Sequence, residues 1–240
     1  MHCIFDGSFD GLMSLVLDTW RVRNEVEAVS EFTGADSLLP TRYFATDMAK
    51  AKRVRDYIQS KLGEEFAWWT RAAFLSRREN RFRAIVKTLH LSIDYGKRVT
   101  DLLDDEVLAF VSCHKEVLTE SHRFQGLLRF RQMHDHILLA RFAPRNNILS
   151  LVLPRFMDRF PDEKLMIYDE TRHLAGLAAM GRVQFEEMPN IDPQDTLAES
   201  EMQDLWRVFF NHLAIKERTN PRLQKQKMPK YTWKNLTEMQ

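Results

Sequence analysis

The chain has 240 residues, of which 44% are hydrophobic and 29% charged, enough for one large packed domain or two small ones. The formal net charge is +1, so the whole molecule is not a magnet for polyanions and any such attraction must come from local charge. No apolar run approaches the roughly 18 residues that span a bilayer, and MHCIFDGSFDG lacks the basic-then-apolar order of a signal peptide, so a cytoplasmic protein is expected.

The elements expected in chain order describe an α+β fold in a single domain, 1–240. HCIF (2–5) reads as a strand. Asp6-Gly7-Ser8 is a turn that can cap the next helix, whose Phe9, Leu12, Met13, Val16 and Trp20 share one face. After a mixed stretch to Pro40, RYFAT (42–46) reads as a second strand. Thr46 or Asp47 then caps a helix with Ala51, Val54, Ile58 and Leu62 inward, ended by Gly63. EEFAWWTRAAFLS (64–76) is apolar nearly all round, which predicts a well-buried helix. The next helix is lined by Phe82, Ile85, Val86, Leu89 and Ile93 and stops at Gly96. A long helix from Asp105 to about Phe124 places Val107, Leu108, Val111 and Leu118 inward.

The pattern changes at Gly126. LLRFRQM and HILLARFA, flanking His134-Asp135, read as a hairpin, and a helix follows over 148–160. LMIYD, LAGLAAM and RVQFEEM read as three strands. A helix over about 198–215 buries Met202, Trp206, Phe209, Phe210 and Leu213. The second half, 105–240, is thus expected to hold an antiparallel sheet in the order β-β-α-β-β-β-α, with a basic C-terminal strap over 216–240, after a mainly helical first part, 1–104.

Several residues carry possible chemistry. Asp6-Gly7-Ser8 offers a helix N-terminus to a phosphate, although Asp6 would repel it and the GxxxxGK[ST] spacing is missing; a helix cap is the plainer reading. His122, Arg123, Arg129 and Arg131 lie around a helix-to-strand junction, where they would bind an anion or move a proton, or form a polar surface. Asp169 and Arg172 suit either a turn-shaping ion pair or a general-base aspartate. The catalytic candidates are therefore His122, Arg123, Arg129 and Asp169. Two cysteines, Cys3 and Cys113, fall in no CxxC or CxxxCxxC pattern, and the eight histidines are scattered, so neither a metal site nor a cofactor is expected. Thiols this far apart suit a reducing compartment, with a disulfide left open.

Charge is distributed unevenly near the end. Residues 185–204 carry seven acids and no Lys or Arg; from Lys216 to Lys234 seven basic residues meet one acid, Glu217. The acidic and basic stretches suit two solvated faces or an intramolecular clamp. Arg218, Arg222, Lys225, Lys227, Lys230 and Lys234, interleaved with Tyr231 and Trp233, suit a phosphate backbone and its bases. The alternative is a strap packed across the body, held by Tyr231, Trp233 and Leu236.

FDGSFDGLM, HRFQGLLRF, PRFMDRFPDEKLMIYDETR and LWRVFFNHLAIKERTNPRLQKQKMPKYTWKNLTE together resemble a bacterial family classed as DNA metabolism or repair proteins. The tail carries the most specific part of this resemblance; about 25–100 matches mainly in helical character. The resemblance implies a radical-SAM protein partner, which would hold any iron–sulfur ligands, and in some relatives fusion to a uracil-DNA-glycosylase-like domain. No such module is expected before Gln240. The loop after the hairpin is often acidic or His-containing in relatives, whereas here it is PRNN (144–147); if that loop does chemistry, this chain lacks it. The family offers no established catalytic residues. Three functions follow as expectations: a DNA metabolism or repair accessory that binds DNA, an enzyme acting on a nucleobase or nucleotide, or a protein-interaction adaptor.

Overall fold

The computed structural model describes residues 1–31, 40–133, 136–189, 199, 202–207 and 220–239. The fold is α+β, and the chain forms two compact units, Met1–Leu118 and Thr119–Gln240.

In the first unit β1 (His2–Phe5) is the middle strand of a three-stranded parallel sheet, with β2 (Ala28–Glu31) and β3 (Thr41–Tyr43) on its two sides. β2 is absent from the sequence reading because only Val29 of its four residues is buried, which leaves no alternation to see. Parallel neighbours need a crossover, and α1 (Phe9–Thr19) supplies it between β1 and β2. Ser8 caps this helix, its Oγ accepting from Gly11 N–H at 2.9 Å. The Asp6 carboxylate accepts from Ser8 and Thr46, so the turn satisfies itself. Asp47 caps α2 (Met48–Tyr57), which continues as a π-helical turn, Ile58–Leu62, to Gly63 at φ 98°.

α3 (Glu64–Phe74) buries Phe66, Thr70, Ala72 and Ala73, but Trp68 is exposed, so this helix has a solvent face that its apolar sequence conceals. α4 (Arg81–Tyr95) turns Phe82, Ile85, Val86 and Leu89 inward as expected, while Ile93 is about half exposed near its end. α5 (Asp105–Leu127) buries Val107, Phe110, Cys113, His114 and Val117 within this unit. Leu108, expected inward, is exposed, because the true stripe runs through Phe110 and Cys113. The unit closes over a core that includes Cys3, Phe5, Leu12, Phe82 and Phe110, with Phe5 and Phe82 edge to face at 4.9 Å. Both cysteines are buried free thiols.

The second unit holds a five-stranded sheet in chain order: β4 (Phe130–Gln132), β5 (Ile137–Phe142), β6 (Lys164–Asp169), β7 (Leu174–Ala179) and β8 (Arg182–Glu187). The expected strand and helix order holds, but the sheet is mixed rather than antiparallel. β5 and β6 pair in parallel, because α6 (Leu149–Arg159) between them returns the chain to the same end. α6 lays Leu149, Val152, Leu153 and Phe156 on one face of the sheet. Gly176 permits that approach: a Cβ there would lie 3.0 Å from Leu153. Met180 and Gly181, both with positive φ, make the tight β7–β8 turn.

Residues 202–207 are helical, with Met202 and Trp206 exposed rather than buried; Phe209, Phe210 and Leu213 lie outside the described residues. A short helix, Pro221–Lys227, is capped by Asn220, and a 3-10 segment, Lys230–Asn235, follows. Thr232, Leu236 and Thr237 are buried, so the end of the chain does pack as a strap. Among the described residues no helix is long and apolar enough to cross a membrane.

Candidate nucleic-acid interface

Side chains alternate along strands, and the β4–β5 register sets Arg131 opposite Leu139. Arg141, two residues on, therefore shares their face, which is the face opposite α6. Arg129 enters just before β4, Glu170 just after β6, and the 3-10 segment contributes Lys234 and Asn235. Together Arg129, Arg131, Leu139, Arg141, Glu170, Lys234 and Asn235 line a hollow of about 270 Å³. Four cations therefore face one carboxylate, in a space that suits a sugar-phosphate unit.

Two acidic groups order these cations. Glu238, with a side chain only 1% exposed, receives Arg129 Nη2 at 2.6 Å and Nε at 3.2 Å, and Trp206 Nε1 at 3.2 Å. Burial pushes its pKa up most strongly, but the Arg129 hydrogen bonds and charge, a backbone hydrogen bond and the Trp206 donor together outweigh this and leave it below the usual range. Arg129 Nη1 donates to the Gly126 and Leu128 carbonyls, so this guanidinium is engaged on every nitrogen. Glu170 lies 2.6 Å from Arg141 Nη2 and accepts from Lys234 Nζ and Asn235 Nδ2, both at 3.3 Å. Burial raises its pKa too; Asn235, Arg141 and Lys234 more than offset that. Arg141 Nε and Glu170 Oε1, on the two partners of this ion pair, each remain buried without a hydrogen bond among the described residues, and of the hollow's cations Arg141 alone carries such a buried donor. An anion in the hollow is the kind of acceptor such a donor requires.

The fold brings together only some of the residues singled out in the sequence. Arg129, Arg131 and Lys234 meet in the hollow. His122 is exposed on α5. Arg123 hydrogen-bonds instead to Tyr231, whose pKa is raised chiefly by burial and then by Glu120. Glu120, buried on α5, accepts from Tyr231 Oη at 2.9 Å, from the Arg145 and Asn146 N–H groups, and from Asn146 Nδ2. It thereby fastens both the PRNN loop and the strap. Arg145 stacks over the Tyr231 ring at 4.7 Å. Asp169 is fully buried, so its pair with Arg172 at 3.0 Å is not the exposed pair the sequence suggested. Its other oxygen accepts the Thr171 and Arg172 N–H groups. Burial raises its pKa despite these donors.

Trp233 is half buried and donates from Nε1 to the Met228 carbonyl at 2.8 Å. Arg222, Lys225, Lys227 and Lys230 are exposed and form no ion pair among the described residues. Arg218 lies outside the described residues, as does His134. Sequence reasoning missed Arg141, Glu170 and Glu238. The only signal for Arg141 was its even spacing from Leu139 in HILLARFA, which means nothing until the β4–β5 register is known. Among the described residues no three His, Cys, Asp or Glu side chains gather as a metal site.

Residues 79–238 match a family described as a domain of unknown function, DUF4130. The chain belongs to that family. No curated protein matches the chain. The matched stretch contains all of the hollow, its two ordering carboxylates and the basic helix, while β1 to β3 and α1 to α3 lie outside it.

Proposed function

We propose that this protein binds nucleic acid and serves as an accessory in DNA metabolism or repair, working beside a radical-SAM partner in the cytoplasm. The observation that carries the nucleic-acid part is the hollow itself: Arg129, Arg131, Arg141 and Lys234 around about 270 Å³, with Arg141 Nε lacking an acceptor. The exposed cations at Arg222, Lys225, Lys227 and Lys230 extend the same charge along the chain. DNA metabolism and the radical-SAM partner rest on the resemblance of the sequence blocks alone. The catalytic alternative draws less support, since both Asp169 oxygens and all Arg129 nitrogens already have partners. The test is fluorescence anisotropy with a labelled oligonucleotide over a salt series. Binding that weakens log-linearly with salt supports the reading. No binding at low salt, with or without the partner, overturns it, and a partner pull-down that survives nuclease then points to the adaptor role.

A further inference from the structure

β8 is the last strand of the sheet, and all six of its residues are exposed. Strand edges are ordinarily blunted by charged side chains, above all Lys, or by Pro, a bulge or a covering segment; β8 carries three charges, Arg182, Glu186 and Glu187, but of both signs, which a second copy can pair. RVQFEE contains neither Pro nor Lys, its pairing with β7 is continuous from Arg182 to Glu187, and no described strand pairs with its outer side. We propose that this edge is a dimer interface, in which β8 pairs antiparallel with β8 of a second copy about a two-fold axis at Gln184.

The register follows from backbone direction and charge. Met188 N–H donates to the His173 carbonyl, and antiparallel bonding repeats every second residue. Glu186, Gln184 and Arg182 therefore turn their backbone groups toward β7. Val183, Phe185 and Glu187 turn theirs outward, so a second strand must set those residues opposite one another. Centring the pair on Gln184 does so. Val183 then exchanges both backbone hydrogen bonds with Phe185 of the second copy, and the two-fold axis repeats the exchange.

The side chains agree with this register. Phe185, which nears Gly176 on the α6 face, meets Val183 of the other copy there; the two are 44% and 42% exposed in the single chain. On the opposite face Arg182 meets Glu186 of the other copy, twice by symmetry. A shift by one residue opposes outward groups to inward ones. A shift centred on Phe185 sets Val183 against Glu187, and one centred on Glu186 opposes like charges. The Gln184-centred pairing alone matches charge with charge and apolar with apolar, as a self-complementary interface requires.

The experiment is sedimentation of the full chain over a concentration series. The parent should associate to a dimer. Arg182→Glu and Glu186→Arg should each weaken the dimer by about tenfold or more, and the double swap should restore it, because two-fold pairing regains both ion pairs. Val183→Pro should give a monomer with unchanged circular dichroism, since the lost N–H faces outward. A parent monomeric at every concentration overturns the proposal. So does a dimer indifferent to both single swaps, or a folded double swap that stays monomeric.

Discussion

The basic helix, with Lys230 just after it, gives the most direct test of nucleic-acid binding. Arg222, Lys225, Lys227 and Lys230 are exposed and unpaired among the described residues, so their replacement by Ala removes charge without breaking a contact. Surface changes of this kind alter stability by only about 0.5 kcal/mol each. The binding effect is much larger. Each phosphate contact contributes roughly 0.7 to the salt slope on single strands and roughly 0.9 on duplex. Four contacts thus amount to about three units of slope on single strands and nearly four on duplex. Between roughly 50 and 200 mM salt, the parent should therefore lose about a hundredfold more affinity than the quadruple variant. Anisotropy with single- and double-stranded oligonucleotides measures both slopes, and thermal melting confirms an intact fold. A quadruple variant with the parent's affinity and slope refutes the reasoning for this helix and leaves only the hollow as an anion site.

Other perturbations separate structural from binding roles. Leu236→Ala empties a site that is 1% exposed and should cost about 3 kcal/mol, read from denaturant unfolding; a loss under about 1 kcal/mol would mean the strap is not anchored there. Trp233→Ala should cost less, since its ring is half buried and its Nε1 donates to the nearby Met228 carbonyl. Arg129→Ala strands the buried Glu238 carboxylate and should mainly lower stability, whereas Arg141→Ala should mainly weaken oligonucleotide binding; equal effects of the two on both readouts would contradict this division. His90 and His114 are buried, and their pKa values fall to about 4. Below about pH 6.5 the unfolded chain takes up protons that the folded chain refuses, so stability should fall from that pH toward 4, by roughly 1.4 kcal/mol per pH unit for each histidine. A urea midpoint that stays flat from pH 7 to 5, roughly the window before carboxylates titrate, would show that these rings are solvated.

What the sequence made legible was mostly periodic or capped. Ser8 and Asp47 were visible as caps because short polar side chains preceded apolar stripes, and α1 and α4 kept most of their predicted faces. β2 was illegible because four residues with one buried position carry no period. The parallel β5–β6 pair was implied by the strand–helix–strand order, but strand sequence alone does not announce direction. The stripe on α5 was misplaced because Leu108 and Phe110 compete for the inward phase, and bulk does not decide which one the core accepts. At the site, Arg129 and Lys234 were individually conspicuous, yet their meeting depends on a separation of 105 residues closed by Glu170, Glu238 and the strap. Carboxylates that act by ordering cations leave no local motif.

The cations of the hollow divide into scaffold and grip. A guanidinium has five N–H groups, and Arg129 directs four of its own to Glu238, Gly126 and Leu128, leaving one on Nη2. To take more than that one donor, an incoming phosphate would have to displace a buried carboxylate, which leaves an uncompensated charge behind. Arg129 is thus better suited to hold the strap against β4 than to bind. Arg141 is placed oppositely. Glu170 fixes its Nη2 end and so limits its motion, while Nε–H keeps an unmet need for an acceptor. Lys234 shares Glu170 at a longer 3.3 Å and is exposed, so it can follow an anion without being uprooted. Glu170 therefore orients two cations while neutralising the equivalent of one, and the hollow keeps a positive excess at the position where a phosphate would sit.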